Sequence, residues 1–331
     1  MGAGRALVTG GAGFVGSHLV QRLLADGLRV GILDDMSSGT GGNLDEARRV
    51  GLRTGDVLVA DVAGPDGAEA IARWHPDVVF HLAAQARVTD SVARPYEGAR
   101  VNVLGTVNVM TAAAAAQVTS VVVASSGGTV YGEPPPGPRG IAETAPRRPV
   151  SPYGASKAAA DLYLDVLERT LGVPVTVLLL GNVYGPRLDG ELGRDVVSCC
   201  VRDVLHGRPP AVCGDGTQTR DFVHVTDVAA AFARARTRGA GARLNIGSGV
   251  ETSVNELVGL VCAAAGVPPG KRPVPPRPAE VGRVCLDVSA AARVLGWRPT
   301  VPLSEGIARL ADRTTAPAPV AGAAFHHATG G

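Results

Sequence analysis

Lysine is almost missing from this sequence. Lys157 and Lys271 are the only two among 331 residues, so nearly all of the 32 basic side chains are arginine. Thirty acidic side chains offset them to a formal net charge of +2, which argues against a nucleic-acid or membrane footprint built on bulk charge. Aromatics are scarce at 4 % while glycine is frequent at 44, a balance that points to many close backbone approaches. The five cysteines (Cys199, Cys200, Cys213, Cys262, Cys285) are odd in number and make no CxxC and no Cys/His ligand spacing. That pattern argues against a disulfide framework or a zinc site; free thiols in a reducing compartment are expected, and no metal. No uninterrupted apolar run approaches the ~18–20 residues that span a bilayer. The first apolar stretch is cut by glycines and lacks a cleavage site, so a soluble, cytoplasmic protein is expected. Hydrophobic residues at 45 % and charged ones at 19 % exclude disorder for most of the length.

At roughly 100–200 residues per domain, the length suggests two domains, or one large α/β unit with a smaller lobe. Apolar runs at 5–9, 29–33, 57–60, 77–82, 118–124 and 173–180 read as strands. Stretches with apolar residues at helical spacing read as helices at 14–25, 68–74, 96–117 and 153–171. The alternation predicts a parallel sheet with helices on both faces, a doubly wound α/β fold. Beyond it, 195–205, 227–236 (capped by Asp227) and 253–265 read as helices and 243–246 as a strand, with Ser253 and Glu256 matching a capping box. Residues 266–278 are proline-rich and read as loop. Residues 314–331, with His326 and His327, read as a disordered, solvated tail.

Thr9-Gly-Gly-Ala-Gly-Phe-Val-Gly16 contains GxGxxG between a predicted strand and a predicted helix. A chain that turns sharply from strand to helix while its backbone touches a pyrophosphate needs glycine there. The helix N-terminus then offers free N–H groups and partial positive charge to the phosphates. Asp34 closes the next predicted strand, where a ribose-binding carboxylate belongs. Its charge would repel a 2′-phosphate, so NAD is favoured over NADP. Tyr153-Gly-Ala-Ser-Lys157 opens a predicted helix. Positions four apart share a face, so phenol and ammonium point at one region. A tyrosine with a pKa of ~10 is a poor base at neutral pH, and a neighbouring ammonium together with a cationic nicotinamide would favour the phenolate.

With these motifs in place the chain resembles the extended short-chain dehydrogenase/reductases of the nucleotide-sugar epimerase/dehydratase family, over about residues 4 to 312. The resemblance rests on the glycine turn, His81-Leu-Ala-Ala84, Asn102-Val-Leu-Gly-Thr106, Ser125-Ser-Gly-Gly-Thr-Val-Tyr-Gly132, Tyr153-Gly-Ala-Ser-Lys157, Asn182-Val-Tyr-Gly-Pro-Arg187, Gly214-Asp-Gly-Thr-Gln-Thr-Arg-Asp221 and Leu295-Gly-Trp-Arg298. It is nearest to the UDP-glucose 4-epimerases and their UDP-glucuronate-using relatives. It implies a Rossmann-type NAD-binding domain at 1–180 plus about 222–247, and a nucleotide-sugar lobe at about 181–221 and 248–313. Gly10, Gly13, Phe14, Val15 and Gly16 would hold the pyrophosphate, and Asp34, with Asp35, Met36 and Ser37 beside it, the adenine ribose. Asp61 and Val62 would lie along the adenine, with Asp56 a rival for that place. Leu82, Ala83, Ala84, Ser125 and Val183 would line the cofactor, and Asn102 would brace the loop. Tyr153 is the implied base and Lys157 its partner, also bonding the nicotinamide ribose. Thr129, Asn182, Arg187, Val197, Arg220, Arg277 and Glu280 are the implied substrate contacts. A homodimer through the helices at 102–117 and 153–171 is implied as well.

One position departs from the family. Its catalytic Ser or Thr usually lies four residues before the tyrosine of the VYG element, and here that residue is Gly127. Ser126 or Thr129 could supply the hydroxyl. The same loop carries no carboxylate, whereas the resembling dehydratases hold an Asp-Glu pair there and the decarboxylases a Glu. An elimination needs a positioned acid and base, so 4-epimerisation of a UDP-sugar is favoured. A dehydratase or reductase on the same fold, or a catalytically silent NAD-binding sensor, are the alternatives. Arg187 could pair with a C6 carboxylate, which would make UDP-glucuronate a substrate, or could be held at the lobe interface.

Overall fold

The computed structural model describes residues 4–134, 140–188, 195–276 and 280–315. In chain order the elements are β1 (Arg5–Thr9), α1 (Phe14–Ala25), β2 (Arg29–Asp34), α2 (Asp45–Arg49), β3 (Val57–Val59), α3 (Pro65–Trp74), β4 (Val78–His81), α4 (Val88–Ala93), α5 (Pro95–Ala99), α6 (Gly105–Ala115), β5 (Ser120–Ser126), α7 (Pro152–Leu171) and β6 (Val175–Leu180). There follow β7 (Asn182–Tyr184), α8 (Val196–Leu205), β8 (Ala211–Cys213), β9 (Thr219–His224), α9 (Val225–Ala235), β10 (Arg243–Ile246), β11 (Glu251–Ser253), α10 (Val254–Ala264), β12 (Arg272–Val274), α11 (Ser289–Leu295) and α12 (Leu303–Thr315).

Seven strands form one parallel sheet in the order β3-β2-β1-β4-β5-β6-β10. A parallel strand must be covered on both faces, and β6 shows it: all six of its residues, Val-Thr-Val-Leu-Leu-Leu, are buried. One face packs on α1 and α9 through Leu19, Val20, Leu23, Val228 and Phe232. The other packs on α3, α6 and α7 through Ile71, Trp74, Val109, Met110 and Leu164. Strand order reverses between β1 and β4, and in such Rossmann sheets the ligand lies outside the carboxyl ends of the strands at that reversal. Two smaller sheets, β11-β9-β7 and β12-β8, lie outside the large one. A third core around Tyr184, Val197, Val204, Phe222, Leu257 and Ile307 joins α8, α10 and α12.

Several expectations change here. The helix expected over 96–117 is two helices, α5 and α6, joined by a π-helical turn at Arg100–Leu104. The wide turn carries Asn102 inward, where its amide bonds the main chain of Gln85 in both directions (2.9 and 3.0 Å). Asp227 does not cap α9. His224 does, its Nδ1 accepting from Thr226 N–H at 3.3 Å, while the Asp227 carboxylate accepts from Thr300 and Val301 and so ties α9 to the chain after α11. The region 266–278 is not all loop: β12 pairs in parallel with β8, and Pro273 is tolerated because β12 has a single neighbour. The capping box at Ser253 and Glu256 is present as expected. Of the expected tail, Thr314 and Thr315 belong to α12, and 316–331 fall outside the described residues.

Candidate active site

Gly10 ends β1 with φ +69°, and a Cβ there would lie 2.7 Å from the Ala83 main-chain nitrogen. The β1–α1 turn and the loop after β4 therefore touch at the reversal point of the sheet. Gly16, in the first turn of α1, faces Gly10 so closely that a Cβ would fall inside the contact distance of the Gly10 carbonyl. Gly13 is the N-cap of α1, with no side-chain cap and no acidic residue in the first turn. The main-chain N–H groups of Phe14, Val15 and Gly16 thus open a 12-residue helix uncapped by any side chain, which is the arrangement that accepts a phosphate. A cradle that a single Cβ would fill, at the amino end of a long helix, fits the pyrophosphate of NAD.

Asp34 ends β2 and is buried. Its carboxylate accepts from Ala12 N–H and Met36 N–H, each at 2.9 Å. Desolvation raises its pKa and these N–H groups oppose the rise. Asp35 and Ser37 form an exposed turn in which Asp35 Oδ1 accepts from Ser37 N–H and Oγ, with Met36 between them at φ +60°. Asp61 follows β3 at the same edge, beside Val62. Burial raises its carboxyl, but Ala63 N–H and an ion pair to Arg100 (2.5 Å) outweigh it and hold the group below the usual carboxylate range. Asp56, its rival, precedes β3 at the amino ends of the strands, away from Asp34 and Asp61, and pairs there with Arg29 at 3.0 Å.

A chain of hydrogen bonds ties these loops together. Ala83 N–H donates to Thr9 Oγ1 (3.2 Å), Thr9 to His81 Nδ1 (2.8 Å), His81 Nε2 to Thr106 Oγ1 (3.1 Å) and Thr106 to the Asn102 carbonyl (2.7 Å). The donor order assigns the Nε2–H tautomer to His81. Burial, with Lys157 nearby, pushes its pKa down to about 3, so it is neutral. Asn102 is fully buried and also donates to Ser156 Oγ at 2.8 Å. Its amide is taken up by protein partners, so it braces the segment carrying Leu82, Ala83 and Ala84.

Ser151 caps α7 by accepting from Gly154 N–H, and this places Tyr153 and Lys157 one turn apart at the helix start. Lys157 is buried and donates to the Ala124 carbonyl at 2.9 Å. Tyr153 lies beside Ser126, the last residue of β5, whose hydroxyl opposes the rise of its pKa. The expected priming of the phenol by the ammonium is absent from the chain's own electrostatics. Desolvation pushes Tyr153 up to about 12, with only Ser126 opposing, and desolvation pulls Lys157 down to about 8, with Asp161 opposing. Desolvation disfavours both charges, and Lys157 is spent on a carbonyl rather than on the phenol.

The loop after β5 explains the family departure. A Cβ on Gly127 would lie 2.8 Å from Leu286 Cδ1 and 3.0 Å from the Leu179 carbonyl, so this position points into packed structure. The Thr129 hydroxyl is buried without a hydrogen-bond partner among the described residues, and a Cβ on Gly128 would approach Asn182 Oδ1 at 3.5 Å. Ser126, Thr129, Tyr153, Lys157 and Asn182 are thus gathered at one corner. Gly127→Ser is expected to add strain and no useful hydroxyl, costing about 1–3 kcal/mol. A thermal melt should fall while kcat does not rise; a rise in kcat at unchanged stability would contradict the packing.

The remaining substrate candidates separate. Arg220 donates to Glu280 (2.7 Å) and to the Thr219 carbonyl. Glu280 in turn lines a cavity of about 300 Å3 with Gly214, Asp215, Gln218 and Pro276. Val183 is a partly buried β7 residue packed on the sheet core. Arg187, at φ +68°, reaches Gln21 (2.5 Å) and Ser17 (3.4 Å) on α1, contacts that belong to the lobe-interface alternative. One expectation is corrected. Val197 is fully buried in the lobe core, its N–H bonded to Asp195, and presents no side chain to a ligand. Arg277 lies outside the described residues. Asp161, buried two turns beyond Tyr153 on the same face of α7, escaped the sequence reading. The available signal was an acid four residues after a lysine at the end of YxxxK.

The chain matches the NAD dependent epimerase/dehydratase family over residues 6–247. It is 45% identical over 311 residues to the UDP-glucose 4-epimerase of Mycolicibacterium smegmatis, across 93% of this chain and 97% of that one. The structure of a Thermotoga maritima UDP-glucose 4-epimerase with UDP-glucose superposes with a TM-score of 0.87 at 36% identity, covering 94% of this chain and 99% of the other. A Thermus thermophilus UDP-glucose 4-epimerase in complex with NAD gives 0.84 at 39% identity, with 95% and 100% covered.

Proposed function

The chain belongs to the NAD dependent epimerase/dehydratase family, and on that premise we propose that it inverts C4 of a UDP-hexose, interconverting UDP-glucose and UDP-galactose. The observation that carries this reading is the corner at Tyr153: a phenol, a buried lysine and two hydroxyls meet there, and the loop 127–129 offers no carboxylate. NAD is the cofactor, and bound here it would supply a reversible hydride acceptor for C4 of the sugar.

The chain's own residues do the rest. Tyr153 removes the proton of the 4-hydroxyl and gives it back at the end. Ser126, beside the phenol, relays to that oxygen, and Thr129, whose buried hydroxyl has no partner among the described residues, is the second hydroxyl of the corner. Lys157, fixed by the Ala124 carbonyl one turn from Tyr153, would bond the nicotinamide ribose. Asp34 would accept from the adenine ribose, and the N–H groups of Phe14, Val15 and Gly16 would face the pyrophosphate, while Gly10 and Gly13, whose own N–H groups bond the Leu33 and Gly10 carbonyls, keep the approach free of side chains. Arg220, oriented by Glu280, grips the nucleotide diphosphate bidentately. The nucleotide is held firmly and the sugar loosely, so the ring turns over between the two transfers. Because Arg187 is engaged by α1, a C6 hydroxymethyl sugar suits the site better than UDP-glucuronate.

Incubation with UDP-glucose, UDP-galactose or UDP-glucuronate, followed by proton NMR and mass spectrometry, tests the reading. Interconversion of the first two at constant mass is the expected result. A product lighter by one water would make the protein a dehydratase, and no product at all would leave a silent NAD-binding sensor.

Two further readings belong here. No helix among the described residues is long and apolar enough to cross a membrane, and a cytoplasmic location suits a sugar-nucleotide enzyme. The packed group α4–α7 leaves Tyr96, Leu104, Leu162, Tyr163 and Val166 exposed, Leu162 at 69 %. An apolar face of that kind needs cover, and a second copy of the chain related by a two-fold axis supplies it. Leu162→Glu should convert a dimer into a monomer in analytical ultracentrifugation; a monomeric parent would end the dimer reading.

A further inference from the structure

Tyr153, Lys157 and Asp161 follow one another at single-turn spacing along one face of α7. Asp161 is 7 % exposed. Its Oδ2 lies 3.8 Å from Arg147 Nη2 and accepts from Ser125 Oγ at 3.3 Å. The helix therefore closes on three successive residues of β5: Lys157 on the Ala124 carbonyl, Asp161 on the Ser125 hydroxyl, and Tyr153 beside Ser126. A carboxylate at this depth is unfavourable by several kcal/mol unless compensated. Its compensation comes from Arg147, Ser125 and Lys157, and the last of these is a group of the reaction.

We propose that Asp161 positions the reacting pair: it is the buried counter-charge of Lys157 and the anchor of Ser125, and so keeps Lys157 an ammonium and Ser126 turned to Tyr153. The proposal rests on the reading of Tyr153 as the base. The charges around it are few. Lys157 faces Tyr153 and Asp161 on its own helix, and His81, held neutral, at the end of β4. Asp161 faces Arg147 from the segment before α7 and Arg243 from β10, which is also paired with Asp165 and Glu168. Burial pulls Lys157 down, and Asp161 is the group that pushes it back up.

The scarcity of lysine makes the test direct. In a Lys271→Arg background, Lys157 is the only lysine left, and its isotope-labelled Cε resonance can be titrated in the NAD-loaded protein. Asp161→Asn should lower the Lys157 midpoint by about one pH unit or more, and Asp161→Glu should restore it to within about half a unit. The high-pH limb of kcat/KM for UDP-glucose should move down by the same amount, because the neutral amine is the inactive form. A folded Asp161→Asn protein with an unmoved midpoint overturns the proposal, whatever its activity. If Asp161→Asn does not fold, Asp161→Ser, which removes the same charge and keeps a hydroxyl toward Ser125, reads the coupling with the same sign: the Lys157 midpoint should fall, and one that stays put overturns it. A parent protein that fails to interconvert the two sugars fails the epimerase reading and not the coupling, which the resonance reports independently.

Discussion

Tyr153→Phe should leave a folded, NAD-loaded protein that epimerises UDP-glucose at least about a thousandfold more slowly, the scale of a lost general base. The fold should survive because the ring, which does the packing, remains. A phenol held up at about 12 is ionised in only about one molecule in 10^5 at pH 7, so it is inert until positive charge is brought to it. The oxidised nicotinamide ring would bring that charge, with Lys157 holding the ribose that carries the ring. Activity should therefore rise with pH as the phenolate becomes accessible and fall as Lys157, down at about 8, loses its proton. The sign follows from the direction of each shift: a raised tyrosine withholds the base at low pH, and a lowered lysine withdraws its support at high pH. The Phe variant should show neither limb in whatever activity remains. Sugar interconversion by NMR, with cofactor content read from absorbance, is the measurement. Near-parental turnover in a protein that keeps its NAD would remove Tyr153 from the mechanism.

The parts of this site that are local in sequence are those the residues announced. A glycine turn between strand and helix, an acid closing the next strand and a Tyr/Lys pair one turn apart each depend on neighbours within a few residues, so periodicity and spacing reach them. What depends on distant packing was out of reach. Nothing near Gly127 reveals that Leu286, more than 150 positions away, occupies the space a side chain would need. Nothing near Arg187 reveals that a positive φ turns it onto α1. The three-residue strands β7, β8, β11 and β12 are too short to carry an alternating pattern, and Pro273 argues locally against the last of them. His224 wins the cap of α9 over Asp227 because that acid is claimed by Thr300 and Val301. The electrostatic expectation failed for a related reason. Spacing places an ammonium one turn from a phenol, but only the tertiary structure shows that the ammonium is buried and bonds a carbonyl.

Gly16→Ala sets two physical rules against each other, and their sizes decide the outcome. Gly16 lies in the first turn of α1, and alanine is favoured over glycine within a helix by about 1 kcal/mol. Propensity alone predicts a more stable protein. The new Cβ, however, would press on the Gly10 carbonyl and lie 2.8 Å from Gly11 Cα. These are backbone atoms of the turn itself, with no flexible side chain to give way. Overpacking of this kind costs about 1–3 kcal/mol and more where the backbone must move, so sterics outweigh propensity. The turn can relieve the clash only by opening, and opening carries the first N–H groups of α1 away from the pyrophosphate. Charge-assisted hydrogen bonds contribute about 1.5–3 kcal/mol each. Losing two of them weakens NAD binding at least about a hundredfold, at ~1.4 kcal/mol per factor of ten. Gly259→Ala in α10 is the matched control: a Cβ there meets nothing within 4 Å, and the same exchange should stabilise by up to about 1 kcal/mol. Thermal melts of the two variants and titration calorimetry with NAD read the contrast. Gly16→Ala protein that melts like the Gly259→Ala control and binds NAD as the parent does would show that the turn is not closed on the cofactor phosphates, and the placement of NAD at the β1–β4 reversal would have to be given up.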